Sequence, residues 1–176
     1  MKQIKWILGI LVSAVLISCG SGKAEYKSKS VQGMFTFDMP TYLEEMDLEN
    51  PDAILEYGNG LKEHYVLVIS ETTDELEGLD IDVDSYSDFT VNFLKESLDN
   101  SKIQKVNSEI KDINGLSANL YKVWGNLAEI NQDIFYYIAI LKSDSRYYSF
   151  YTWTLESRED RYTKTMEHMI ESFKEL

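Results

Sequence analysis

Two histidines, a run of alternate aspartates and a crowd of aromatic rings are the residues whose types and spacing bear on chemistry. His64 and His168 could act as bases or metal ligands. A zinc site on a helix needs two imidazoles a turn apart, as in HExxH, and these two stand far apart in the chain, so no metal centre is expected. A triad would have to bring one of them to a serine by folding, and no Gly-x-Ser-x-Gly elbow or Gly-rich phosphate loop is present. Asp80, Asp82 and Asp84 alternate like the opening of a calcium loop. Counted from Asp80, however, the sixth position is Ser85 where Gly is needed, and the twelfth is Val91 where Glu is needed. The stretch reads instead as an acidic loop with Leu79, Ile81 and Val83 turned inward, its carboxylates favouring the helix N-terminus that follows. With 30 acidic residues, pairs such as Glu44-Glu45 arise by chance. An envelope hydrolase working through a histidine or a carboxylate pair therefore stands only as the alternative, and no catalytic residue or cofactor is assigned.

The rings are different. Tyr121, Trp124, Tyr136, Tyr147, Tyr151 and Trp153 crowd one stretch of predicted strands. Such rings mostly pack across strands. Trp124, at a strand end beside Gly125-Asn126, is the candidate contact for a peptide, glycan or lipid, with Tyr121 on the same strand.

Cys19 carries a separate chemistry. Lys2 and Lys5 precede an apolar run from Trp6 to Ile17, too short for a spanning helix, and the run ends in Leu16-Ile17-Ser18-Cys19. This resembles a bacterial lipoprotein signal and its lipobox. The resemblance implies cleavage after residue 18, a diacylglyceryl group on the Cys19 sulfur and an acyl chain on its new amine. Two or more chains hold a protein stably where one does not. Cys19 is the sole cysteine, so no internal disulfide can form and the fold rests on its core. Residues 20–30, small and polar, read as a flexible tether with a reach of roughly 20 Å. The expected location is the inner side of an outer membrane, facing the periplasm, or the outer face of a plasma membrane.

The charge sets limits on partners. The net charge is -13, and loss of residues 1–18 with their two lysines takes it to -15. Such a domain repels phosphate backbones, so nucleic acid is not an expected partner. An envelope protein is.

The elements that must position these residues run from about Val31 to Leu176, the length of one domain. Phe35-Thr36-Phe37-Asp38 alternates like a strand and ends at Pro40. Ala53–Tyr57 and Glu63–Thr72 flank Gly58-Asn59-Gly60 as a hairpin, and Tyr65–Ile69 is apolar on both faces. A helix follows from a capping box at Ser85–Asp88, with Tyr86, Phe89, Phe93, Leu94 and Leu98 as its apolar side and Asn100-Ser101 as its end. Residues 103–155 form a four-strand meander, with Asn114-Gly115 as a type I′ turn. A last helix, capped at Ser157–Asp160, carries Tyr162, Met166, Met169, Ile170 and Phe173 as one stripe.

Phe35–Pro40, Asn114-Gly115-Leu116-Ser117-Ala118 and Ile170-Glu171-Ser172-Phe173 together resemble the PsbP-like group, which includes bacterial DcrB-type lipoproteins. The resemblance implies an α+β fold, an α/β/α sandwich whose largely antiparallel sheet of about six or seven strands is covered by one helix on each face. It also implies an accessory or binding role rather than an enzyme. These motifs are packing positions, so no site residue is carried over.

Overall fold

The strands that are apolar on both faces become the middle of the fold. The computed structural model describes residues 24–31, 33–76 and 81–176. In chain order the elements are β1 (Tyr26–Val31), β2 (Phe35–Pro40), β3 (Glu44–Glu45), β4 (Ala53–Asn59), β5 (His64–Thr72), α1 (Val83–Glu96), β6 (Asp99–Lys105), β7 (Lys111–Ile113), β8 (Leu116–Leu127), β9 (Gln132–Lys142), β10 (Arg146–Leu155), α2 (Glu159–Glu171) and β11 (Lys174–Glu175). The main sheet runs β3-β4-β5-β10-β9-β8-β6, with β7 also on β8, and every pairing is antiparallel. Helix α1 lies on one face and α2 on the other, so the fold is the expected α+β arrangement with eight strands in the sheet.

One face is closed by α2 and a second, small sheet, β1-β2-β11. Phe35 and Phe37 from β2 meet Tyr148 and Phe150 of β10 edge-on, at 5.5 and 5.3 Å between ring centres. Met166, Met169 and Ile170 of α2 complete that core. Asn114 fixes the corner. It takes the left-handed backbone conformation that the Asn114-Gly115 turn requires, and its amide donates to the Glu171 and Phe173 carbonyls at 3.0 and 2.8 Å. The turn residue thereby also satisfies carbonyls that the end of α2 leaves free.

Several expected boundaries move. The tether was expected to reach Ser30, but Tyr26–Val31 is a strand paired with β2 from Tyr26↔Pro40 to Val31↔Phe35. Its polar sequence suits an edge strand with one face in water, and Lys29 donates to the Tyr57 hydroxyl at 2.6 Å. The signal segment and Cys19 lie outside the described residues. The single strand expected over 103–113 splits into β6 and β7, which pair with the same edge of β8. Between them Asn107 stands in for backbone, its Oδ1 accepting from the Leu120 amide at 2.8 Å. Helix α1 starts earlier than the Ser85 box: Asp82 is its cap, accepting from the Ser85 amide at 2.7 Å. A 3₁₀ turn, Glu156–Arg158, precedes α2 in place of the Ser157 box, and Arg158 caps it without a side-chain bond. Phe173 falls just beyond α2, where the chain turns into β11 against β2.

Phe173 is 0% exposed, stacked on Phe35 at 4.7 Å and beside Tyr148 at 5.2 Å. Truncation of this ring to alanine removes contacts to both sheets at once. Phe173→Ala is expected to cost about 3–5 kcal/mol, a large share of a typical stability of about 5–15 kcal/mol. Urea unfolding of residues 24–176 measures it, and a loss below about 1 kcal/mol would show that the ring does not join the two sheets.

Candidate functional site

Helix α1 is too small for the face it covers. Val83, Tyr86 and Val91, with Leu98 just beyond the helix, seal it against Tyr121 and Val123 of β8, Ile138 and Ile140 of β9 and Tyr147 at the start of β10. Among the described residues no helix covers the rest of that face, where Tyr65 and Ile69 of β5 and Tyr151 and Trp153 of β10 are half-buried. Strand parity puts Tyr65, Leu67 and Ile69 of β5 beside Trp153, Tyr151 and Ser149 of β10 on this face. Across the sheet, Tyr65, Trp153 and Tyr136 form one row of stacked rings, with centres 5.4 and 5.7 Å apart. Tyr65 lies flat over Gly58, where a Cβ would stand 2.6 Å from its ring. The glycine is what lets that ring lie down along the row.

Two clefts sit on this face. One, of about 750 Å³, lies between α1 and the sheet and is lined by Ile69, Leu76, Ile81, Phe89, Phe93 and Tyr151. The other, of about 590 Å³, holds Tyr65, Ile130, Ile134, Tyr136, Trp153 and Leu155. Both are within the range of sites that hold peptide side chains or small ligands. Phe89 and Phe93 were expected in the core. They are instead 72% and 71% exposed, rotated off the stripe formed by Val83, Tyr86, Thr90 and Val91. The period of the sequence marks α1 as amphipathic, but the sheet beneath it is reached only by the narrower stripe. At the inner end of the first cleft the Tyr86 hydroxyl donates to Glu71, with Ser149 Oγ 3.3 Å away. Burial and the Glu71 carboxylate hold the Tyr86 phenol above its ordinary value, so it stays a neutral donor. Burial likewise pushes Tyr136 and Tyr151 up to about 12.

The residues singled out in the sequence are scattered. Tyr121 and Trp124 are three apart on one strand and so face opposite ways. Tyr121 is buried beneath α1. Trp124 is on the α2 side, where its indole N–H donates to Glu159 at 2.7 Å, and Lys102 sits 5.0 Å over its ring. It edges a polar cleft of about 640 Å³ that also holds Asp99, Asn100, Asp133 and Glu156. Of the three aspartates, Asp80 lies outside the described residues. Asp82 caps α1, and Asp84 takes Lys105 at 3.0 Å and the Asn119 amide at 2.9 Å. His168 is exposed and stands 3.2 Å from Asp38.

His64 is fully buried among Tyr42, Tyr162 and Thr152. Thr152 spends its own hydroxyl proton on the Tyr65 carbonyl at 2.9 Å. The His64 Nε2–H therefore donates to Thr152 Oγ1 at 3.0 Å, and Nδ1 accepts from the Tyr42 hydroxyl at 2.7 Å. Both nitrogens are used and the ring is sealed, so it offers no base to a surface substrate.

Among the described residues no group of three or more His, Cys, Asp or Glu side chains is placed to hold a metal ion, and no helix is long and apolar enough to cross a membrane. No protein-family model matches the chain, and no curated protein matches it. Solved structures do. The cyanobacterial PsbP of Synechocystis sp. PCC 6803 is 20% identical with a TM-score of 0.58, over 92% of this chain and 99% of that one. The Ran-binding protein Mog1p of Saccharomyces cerevisiae is 12% identical with a TM-score of 0.59, over 86% and 96%. LpqN of Mycobacterium tuberculosis, described as involved in cell envelope biogenesis, is 10% identical with a TM-score of 0.56, over 88% and 92%. The fold is of the PsbP and Mog1 type.

The buried imidazole generates a pH dependence. Burial lowers the His64 pKa from 6.5 to about 3. Between those values the unfolded chain binds a proton that the folded chain refuses. The contribution is thus complete above about pH 6.5 and is lost as pH falls, at up to about 1.4 kcal/mol per pH unit. From pH 7 to pH 5 the wild type should lose about 2 kcal/mol more than His64→Gln in urea titrations. Parallel losses in the two proteins would show that the buried ring is already protonated.

Proposed function

We propose that this protein is a non-enzymatic binding or accessory module of the cell envelope, held to a membrane through lipid on Cys19. The observation that carries the reading is the half-buried aromatic row that lies between two clefts on the α1 face, beyond the reach of that helix. Phe89, Phe93 and Ile130 stand exposed around the row, and large apolar side chains grouped in this way mark a surface that meets a partner. The solved proteins of this fold support a role of the same class: one is named Ran-binding and another is tied to envelope biogenesis. The lipobox supplies the location, on the periplasmic side of an outer membrane or the outer face of a plasma membrane. In this reading Trp124 joins β8 to α2, Tyr121 belongs to the core, and the contact surface is the row that contains Trp153.

Two measurements test it. Cys19→Ser should move the protein from the membrane fraction to the soluble one while its near-UV circular dichroism stays unchanged. Equal membrane retention would overturn the lipid anchor. A photo-crosslinking residue at position 153 should capture a defined envelope protein in cells, and the same residue at exposed Lys164 on α2 should not. Labelling at background level from position 153 would sink the binding role.

A further inference from the structure

We infer that the open half-face takes a basic amphipathic helix, laid along β10 with its apolar side on the aromatic row. This rests on the binding-module reading and names its partner class. Shape and charge identify this occupant. From Ser149 to Leu155 the strand spans about 20 Å, the length of about 13 helical residues. Beyond the polar Ser149 end the floor is largely apolar, from Ile69 and Tyr151 to Trp153 and Leu155. Phe89 and Phe93 rise at one end and Ile130, 58% exposed, at the other. A flat ligand would leave these three in water, whereas a cylinder seated between them covers all three. The charged residues that line the two clefts are Asp52, Glu71 and Glu75 at one end and Glu63 at the other. All four are acidic, so a helix flanked by lysine or arginine finds an opposite charge at each end, and an acidic helix is repelled. Helices of this kind are read through anchors at i, i+3, i+4 and i+7, which matches a floor of separate ring-lined hollows.

The test uses the full chain in neutral phosphatidylcholine nanodiscs and a labelled 14-residue probe with leucines at those four spacings and lysines elsewhere. Empty nanodiscs give the background. The lysine probe should bind in the micromolar range. A probe with glutamates for lysines should bind at least tenfold more weakly. Phe89→Ser with Phe93→Ser should weaken the lysine probe at least tenfold, and Glu71→Gln with Glu75→Gln by several-fold at low salt. The phenylalanines are exposed, so their loss leaves the fold intact. Equal binding of both probes, or binding unmoved by the phenylalanine pair, would overturn the proposal. No binding of either probe would also overturn it. Self-association that the same pair abolishes would assign the face to a second copy and overturn it too. In-cell capture from position 153 persisting in any of these cases would leave the binding-module reading standing, which separates the two failures.

Discussion

Everything in this molecule hangs on the pairing of β5 with β10. Nine residue pairs, from Arg146↔Thr72 to Thr154↔His64, join an N-terminal hairpin to the end of a C-terminal meander across more than seventy residues of chain. Without that ladder there are two small sheets, each with one raw edge and neither able to bury both faces. With it, β10 becomes a central strand. Its even residues feed the core beneath α2 and the small sheet, and on the other face Tyr147 packs under α1 while Tyr151 and Trp153 make the half-buried floor beyond it. The loop it closes is long, and the entropy of closure must be met before the contacts form. High contact order of this kind goes with slow folding.

The same ladder places the two groups that govern the chemistry of the site. It sets Trp153 between Tyr65 and Tyr136, and on the opposite face it sets Thr152 against His64. One strand thus carries a half-buried aromatic row and a sealed polar chain on alternate residues.

Much of this was legible in the sequence. Tyr65–Ile69 and Ile134–Leu141 are apolar at every position, and both became interior strands. Asn114-Gly115 named its turn, and the Tyr162 to Ile170 stripe named the buried side of α2. What failed were choices between locally equivalent signals. Asp82 and Ser85 are both good caps, and only the packing of Val83 decides between them. Phe89 and Phe93 fit an amphipathic helix, but periodicity reports that a face is apolar and not whether anything lies against it. The lysines and serines of β1 read as a linker because an edge strand with a wet face has the composition of one. Tyr121 and Trp124 could have been assigned to different faces by parity alone, since an odd separation on a strand sends two side chains to opposite sides. The ring row could not have been found that way, because it depends on the register between strands distant in sequence.

The strands at the margins have a consequence for how any partner can approach. At one end of the main sheet β3 is two glutamates long, and at the other β6 carries lysines and a register shift between Asp99 and Lys102. The small sheet ends in β1, with lysines at 27 and 29, and in the two-residue β11. Short, charged or bulged margins are poor templates for a further strand. Polymerisation through backbone hydrogen bonds is thereby discouraged, and so is recognition by strand addition. What these margins refuse is backbone; what the protein leaves available is side chain.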